Sequence, residues 1–235
     1  MPQSPNKIHR NPGQRLFDRA RRARDNGNLA EAEALYRRSL TSRQKVLGPA
    51  HPAVAQSMNH LANVLHEQER YAEAEPLYRE SLAMRRKTLG PEHRDVASSL
   101  SNLANLLQNT ARPEKAERLY RQSLKLRIKA YGSRHENVAM CLANIAILMQ
   151  NTGRSVQAEA HYRQALAMLE EVVGPAHPLT GYTRANLADF LRFDGRKAEA
   201  TPVAKQAYED LREVLPKEHR YLRWARKVLR DVRTT

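Results

Sequence analysis

Five histidines raise the first chemical question: His51, His93, His135, His177 and His219 are each 42 residues from the next. Imidazole is a common metal ligand and the usual proton carrier near neutral pH. A zinc site, however, needs ligands converging to about 2.0–2.1 Å of one ion. Side chains that occur once per structural unit are spread one unit apart, and no cysteine or second histidine accompanies each at ligand spacing. His60 and His66 are six apart, which does not make them a metal pair on one helical face. Each of the five sits instead in a turn-like string: LGPAHP from Leu47, LGPEHR from Leu89, YGSRHE from Tyr131, VGPAHP from Val173 and LPKEHR from Leu215. Glycine ends one helix, and Pro-x-His-Pro or a variant begins the next. No metal site and no cofactor is expected.

Nucleophilic chemistry finds little support. Cys141, the single cysteine, lies in the apolar string MCLANIAIL, where a free thiol acts as a small core residue. One cysteine also excludes an internal disulfide framework and fits a reducing compartment. No G-x-S-x-G, phosphate-binding loop or G-x-G-x-x-G occurs. The acids of AEAEA from Ala30 and AEAEP from Ala72 read as solvated first-turn carboxylates that favour the helix dipole. The residue types point away from an enzyme.

The elements behind these residues share the same spacing. LYRRSL from Leu35 returns as LYRESL at Leu77, LYRQSL at Leu119, HYRQAL at His161 and, more faintly, VAKQAY at Val203. A fixed period without drift is an internal repeat. In one copy Val96, Leu100, Leu103, Ala104 and Leu107 follow helical three-and-four spacing. Residues 109–112 break it, and Pro113 suits the first turn of a second helix through Ala116, Leu119, Tyr120, Leu124 and Ile128. Gly27, Gly153 and Gly195 mark the same inner turn in other copies. The expected fold is all-α: five helix pairs at about 13–46, 52–88, 94–130, 136–172 and 178–213, then a capping helix at about 217–233. Residues 1–12 read as a disordered tail. No apolar run approaches the roughly 20 residues of a membrane span. MPQSPNKIHR lacks a secretory core, so a cytoplasmic protein is expected.

Leu103-Ala104, Leu107, Ala116, Tyr120 and Ser123 resemble the large-and-small packing residues of the tetratricopeptide repeat (TPR). N-L-A in the first helix, Y-x-E-A-E-x-L-Y in the second and L-G-x-x-H-P between repeats resemble its kinesin light chain-like subtype, over about residues 13–233. The resemblance implies a right-handed α-solenoid whose first helices line a concave, protein-binding groove. Asn102, Asn144 and Asn186 stand where that family's asparagines hydrogen-bond the backbone of an extended peptide. His60 is the matching residue one repeat earlier, Asn63 and Asn105 form a second register, and Asn59 and Asn109 line the same face. An amide offers donors and an acceptor together, which suits a peptide bond. The other reading is that these side chains bond the neighbouring helix and only fix repeat packing.

The net charge of +15 is concentrated at the ends. Residues 1–46 carry 11 lysines and arginines against 4 acids, and residues 212–235 carry 8 against 3; the long middle, 47–211, carries 21 against 18. Arg15, Arg19 and Arg22 near one end, and Arg223, Arg226 and Arg230 near the other, are placed to steer an acidic partner. Interior cations such as Arg85-Arg86-Lys87 and Arg127/Lys129 fit the dipole at helix ends without further purpose. The sequence therefore reads as a non-enzymatic scaffold or adaptor that binds an extended acidic segment of another protein. The alternative is nucleic-acid binding through the arginine-rich terminal helices. It lacks the usual aromatic stacking platforms, because Tyr36, Tyr78, Tyr120 and Tyr162 occupy packing positions and Trp224 is the exception. Self-association is left open.

Overall fold

A computed structural model describes residues 12–234. The tail expected at 1–12 therefore lies outside the described residues, Pro12 apart. The described chain is helical from end to end: α1 (Pro12–Asp25), α2 (Leu29–Leu47), α3 (Pro52–Glu67), α4 (Tyr71–Leu89), α5 (Arg94–Asn109), α6 (Pro113–Tyr131), α7 (Glu136–Asn151), α8 (Ser155–Val172), α9 (Pro178–Phe193), α10 (Lys197–Val214) and α11 (Arg220–Thr234). The final helix starts three residues later than expected, because Pro216 to His219 form the turn before it.

The helices form two compact units, dividing at Arg112 and Pro113. In the first, α1 packs on α2 and α3 on α4, while α2 meets α3 and α4 meets α5. In the second, α7 packs on α8 and α9 on α10; α6 rests against α7, and α11 lies against both α9 and α10. Small residues let the helices approach. Ala20, Ala62, Ala104, Ala146 and Ala188 on first helices, and Ala32, Ala74, Ala116, Ala158 and Ala200 on second helices, are all fully buried. Tyr36, Tyr78, Tyr120 and Tyr162 supply the matching bulk.

The recurring histidines have a defined structural role. His51, His93, His135 and His177 are N-caps, each Nδ1 accepting the backbone N–H two residues on at 3.0–3.3 Å. His219 does the same for Tyr221 at 3.3 Å. A helix start leaves N–H groups without intrahelical partners, and the ring nitrogen takes one of them. That bond requires a bare Nδ1, so the neutral ring carries its proton on Nε2. At the inner turn the chain needs a left-handed residue, which Gly27, Gly153 and Gly195 supply; Glu69 and Ala111 adopt the same positive φ at 62° and 55°.

Two expectations about charge are corrected. The repeated acids are not simply solvated: Glu33, Glu75, Glu117 and Glu159 each accept from an arginine 37 residues later, Arg70, Arg112, Arg154 and Arg196, at 2.6–3.1 Å. Each also pairs with an arginine one turn along its own helix. Bonds from Arg196 hold the Glu159 carboxyl below the ordinary range. At Glu33 desolvation opposes this, and the combined bonds from Arg37, Gln68 and Arg70 outweigh it.

The second correction concerns helix-end cations. Arg43 and Arg85 are buried, 1% and 5% exposed, and Arg127 is half-buried. Each points Nη1 at a carbonyl at the start of the next helix: Arg43 to Ala53 at 2.7 Å, Arg85 to Asp95 at 2.8 Å and Arg127 to Asn137 at 3.0 Å. Ser57 and Ser99 add bonds of 2.9 Å to the first two. Desolvation lowers the pKa of all three guanidinium groups, a sign that their burial has to be offset by these bonds. They fasten one helix pair to the next.

Candidate peptide-binding face

The first helix of each pair carries the asparagine registers, and the structure gives those asparagines different surroundings. In the first unit most are occupied. Asn59 is buried, and its carbonyl oxygen accepts from Asn102 Nδ2 at 3.2 Å. Tyr78 donates its hydroxyl to Asn63 at 2.7 Å. Asn105 is half-buried and engaged within the fold. Asn109 is exposed and lies 2.9 Å from the His66 ring nitrogen. His60 sits against Phe17 and Tyr36, with ring centroids at 4.8 and 5.5 Å, and its Nδ1 is 3.4 Å from the Tyr36 hydroxyl. Burial, assisted by Arg24 and other nearby arginines, pulls its pKa to about 3. The Asn59 carbonyl oxygen and the His60 Nδ1 are thus already engaged inside the fold.

The second unit differs. Asn144 is half-buried and has no hydrogen-bond partner among the described residues. Asn186 is 6% exposed; its Oδ1 accepts from Trp224 Nε1 at 2.8 Å, and its Nδ2 is buried without a partner. Around it α7, α8, α9 and α11 enclose a pocket of about 320 Å³. Sequence reasoning had marked Trp224 as an outlier but did not place it here. The capping helix keeps the 42-residue period, which sets Trp224 in register with Tyr182, but the period alone does not show that its indole reaches Asn186.

The terminal cations also separate from the rest. Arg15, Arg19, Arg21 and Arg22 on α1 are exposed and form no ion pair among the described residues; Arg24 is bonded to Glu67. On α11, Arg223, Arg226 and Arg233 are exposed and unpaired among the described residues, while Arg230 meets Asp231 at 3.3 Å. Among the described residues no three histidine, cysteine, aspartate or glutamate side chains converge as a metal site would require. Cys141 is buried, with Sγ 3.7 Å from the Tyr120 carbonyl. No helix is long and apolar enough to cross a membrane among the described residues.

The family model of the tetratricopeptide repeat matches four overlapping segments, residues 18–87, 56–129, 95–171 and 144–213. The chain belongs to that family. Among solved structures, a kinesin light chain-like protein of nearly identical TPR-like repeats from Podosopora anserina is 23% identical, with a TM-score of 0.62 over 92% of this chain and 100% of that one. BtubC (BKLC) from P. vanneervenii is 21% identical, with a TM-score of 0.63 over 86% and 89%. A Rap protein complexed with competence and sporulation factor is 15% identical, with a TM-score of 0.77 over 92% of this chain and 61% of that one. These likenesses are to the TPR fold. No curated protein matches the chain.

Proposed function

We propose that this TPR protein is a non-enzymatic binding module for an extended segment of another protein, received on the first-helix face of its second unit. The observation that carries this is the state of the asparagine register there: Asn144 and the Nδ2 of Asn186 are half-buried or buried amides whose hydrogen-bonding capacity the fold leaves unused. A buried donor without an acceptor costs about 1–3 kcal/mol, which a bound carbonyl would recover. The Rap protein complexed with competence and sporulation factor lends support by fold analogy. The unpaired arginines of α1 and α11 favour an acidic segment, drawn in by long-range attraction.

The test is selection of peptides from a random display library on the immobilised chain. Selected peptides should be rich in Asp and Glu, weaken as salt rises, and lose about tenfold or more in affinity with Asn144→Ala. Acid-poor selections would remove the electrostatic part, and unchanged affinity in Asn144→Ala would remove the face. Nucleic-acid binding is separated by an oligonucleotide titration at two salt concentrations, where many phosphate contacts give a far steeper loss.

A further inference from the structure

The pocket beside Asn186 has a chemistry of its own. Its walls are largely aromatic: Trp224 from α11, Tyr182 from α9, stacked on Tyr221 at 4.4 Å, and Phe193 at the end of α9. Phe193 is 66% exposed and lies under the Arg192 guanidinium at 4.0 Å. Ile147 adds an aliphatic surface at the position where Asn63 and Asn105 stand in the first unit. About 320 Å³ lies at the lower end of ligand-site volumes, roughly 300–1,000 Å³, and suits one large side chain.

The polar atoms narrow the occupant further. Asn186 spends its oxygen on Trp224 and keeps its amide donors. Gln150 likewise spends its oxygen on the Tyr162 hydroxyl at 2.9 Å and keeps its own. Both amides thus present N–H groups, so the ligand must bring an acceptor. Free charge is absent from the described walls. Asp189, the one carboxylate lining the pocket, is held by Arg192 Nε and Nη2 at 3.2 and 2.8 Å. A lysine entering would compete with Arg192 for that carboxylate, and an aspartate would meet it as a like charge.

We propose that this pocket seats one large uncharged side chain, such as leucine or phenylalanine, from an extended peptide whose neighbouring carbonyl accepts from Asn186 Nδ2. The proposal rests on the peptide-binding reading above and adds the residue class that anchors the segment. The acids favoured by the terminal arginines then lie elsewhere along the segment, and the anchor itself is neutral.

Trp224 is the chain's one tryptophan, so its emission reports directly on the site. The probes are blocked pentapeptides Ac-Ala-Ala-X-Ala-Ala-amide with X as Leu, Phe, Ala, Lys or Asp. Leu and Phe should shift Trp224 emission saturably and bind at least about tenfold more tightly than Ala, with Lys and Asp no better than Ala. Asn186→Asp keeps the acceptor for Trp224 and removes the amide donors; Phe193→Ser changes only an exposed rim residue. Both should weaken the Leu peptide severalfold while leaving far-UV circular dichroism unchanged. Equal binding of Leu, Phe and Ala, preference for Lys or Asp, no binding of any probe, or full affinity in both variants would overturn the pocket. If library-selected peptides still depend on Asn144 in that event, the binding module stands and only its anchor is wrong.

Discussion

The repeat position at residues 43, 85 and 127 holds arginine, and the same position at 169 and 211 holds leucine. The early junctions are polar: a buried guanidinium bridges two helix pairs through carbonyl and hydroxyl oxygens. The late ones are apolar. Leu169 lies fully buried among Val138, Ala139, Leu142 and Ala165. Leu211 fills the space over Gly181 so closely that a Cβ there would lie 2.6 Å from Leu211 Cγ. The second unit also carries a buried cation, Arg184, but answers it with the carboxylates of Asp210 and Glu170. One backbone geometry thus admits two solutions, provided that the partners change with the residue: Ser57 and Ser99 face the arginines, while alanines and a glycine face the leucines.

Exchanging the two solutions is the strongest test. Leu169→Arg would place a cation among apolar side chains with no matching carboxylate, and should cost about 4 kcal/mol or more, read by urea denaturation and by loss of hydrogen-exchange protection in α7 and α8. Next, Arg85→Ala removes the guanidinium bonds to the Asp95 carbonyl and Ser99 and opens a cavity, for about 3 kcal/mol. Arg85→Leu should cost clearly less; equal losses would mean that hydrogen bonding, not volume, holds the early junctions.

A third contrast is acid sensitivity. His60 is neutral in the fold, with its pKa pulled from 6.5 to about 3. The unfolded chain takes up a proton as pH falls through about 6.5 while the fold does not, so the contribution is present above that pH and is lost toward pH 3. The first unit should therefore lose at most about 2 kcal/mol between about pH 7 and 5, discounted for the partly solvated ring edge. His60→Phe should flatten that slope, whereas the second unit, with Asn144 and Asn186 at the same position, has no such titration. Smaller still, His93→Ala should cost about 1 kcal/mol through the lost cap, and His93→Asn should restore most of it. Smallest is a gain of under about 1 kcal/mol for Ala111→Gly, which relieves the positive φ that other repeats give to glycine.

The histidine strings, the inner glycines and the helix pairs were legible because each is repeated, and repetition exposes a role that no single copy declares. The buried arginines were not. A lysine or arginine in a last helical turn satisfies the dipole in water as readily as it reaches into a junction, and only its partner 10 or 14 residues on distinguishes the cases. That signal was available: arginine at 43 and 85 goes with serine at 57 and 99, and leucine at 169 with threonine at 183. The asparagines were legible as a register but not as a site. Whether Asn102 or Asn186 has unused valence depends on Asn59 in one case and Trp224 in the other, and neither follows from the period alone.

The arginine–glutamate pairs bear on how such an array can lengthen. Each reaches back one repeat, and the series is bounded by Asn28, where an arginine would stand, and Thr201, where a glutamate would stand. A gene duplication copying an interior repeat carries both halves of the pair and restores every link on insertion. A copy of the first repeat brings asparagine to an acid that needs a partner, and a copy of the last brings arginine to a threonine. The charge pattern therefore makes interior duplication the self-consistent route by which this array gains repeats.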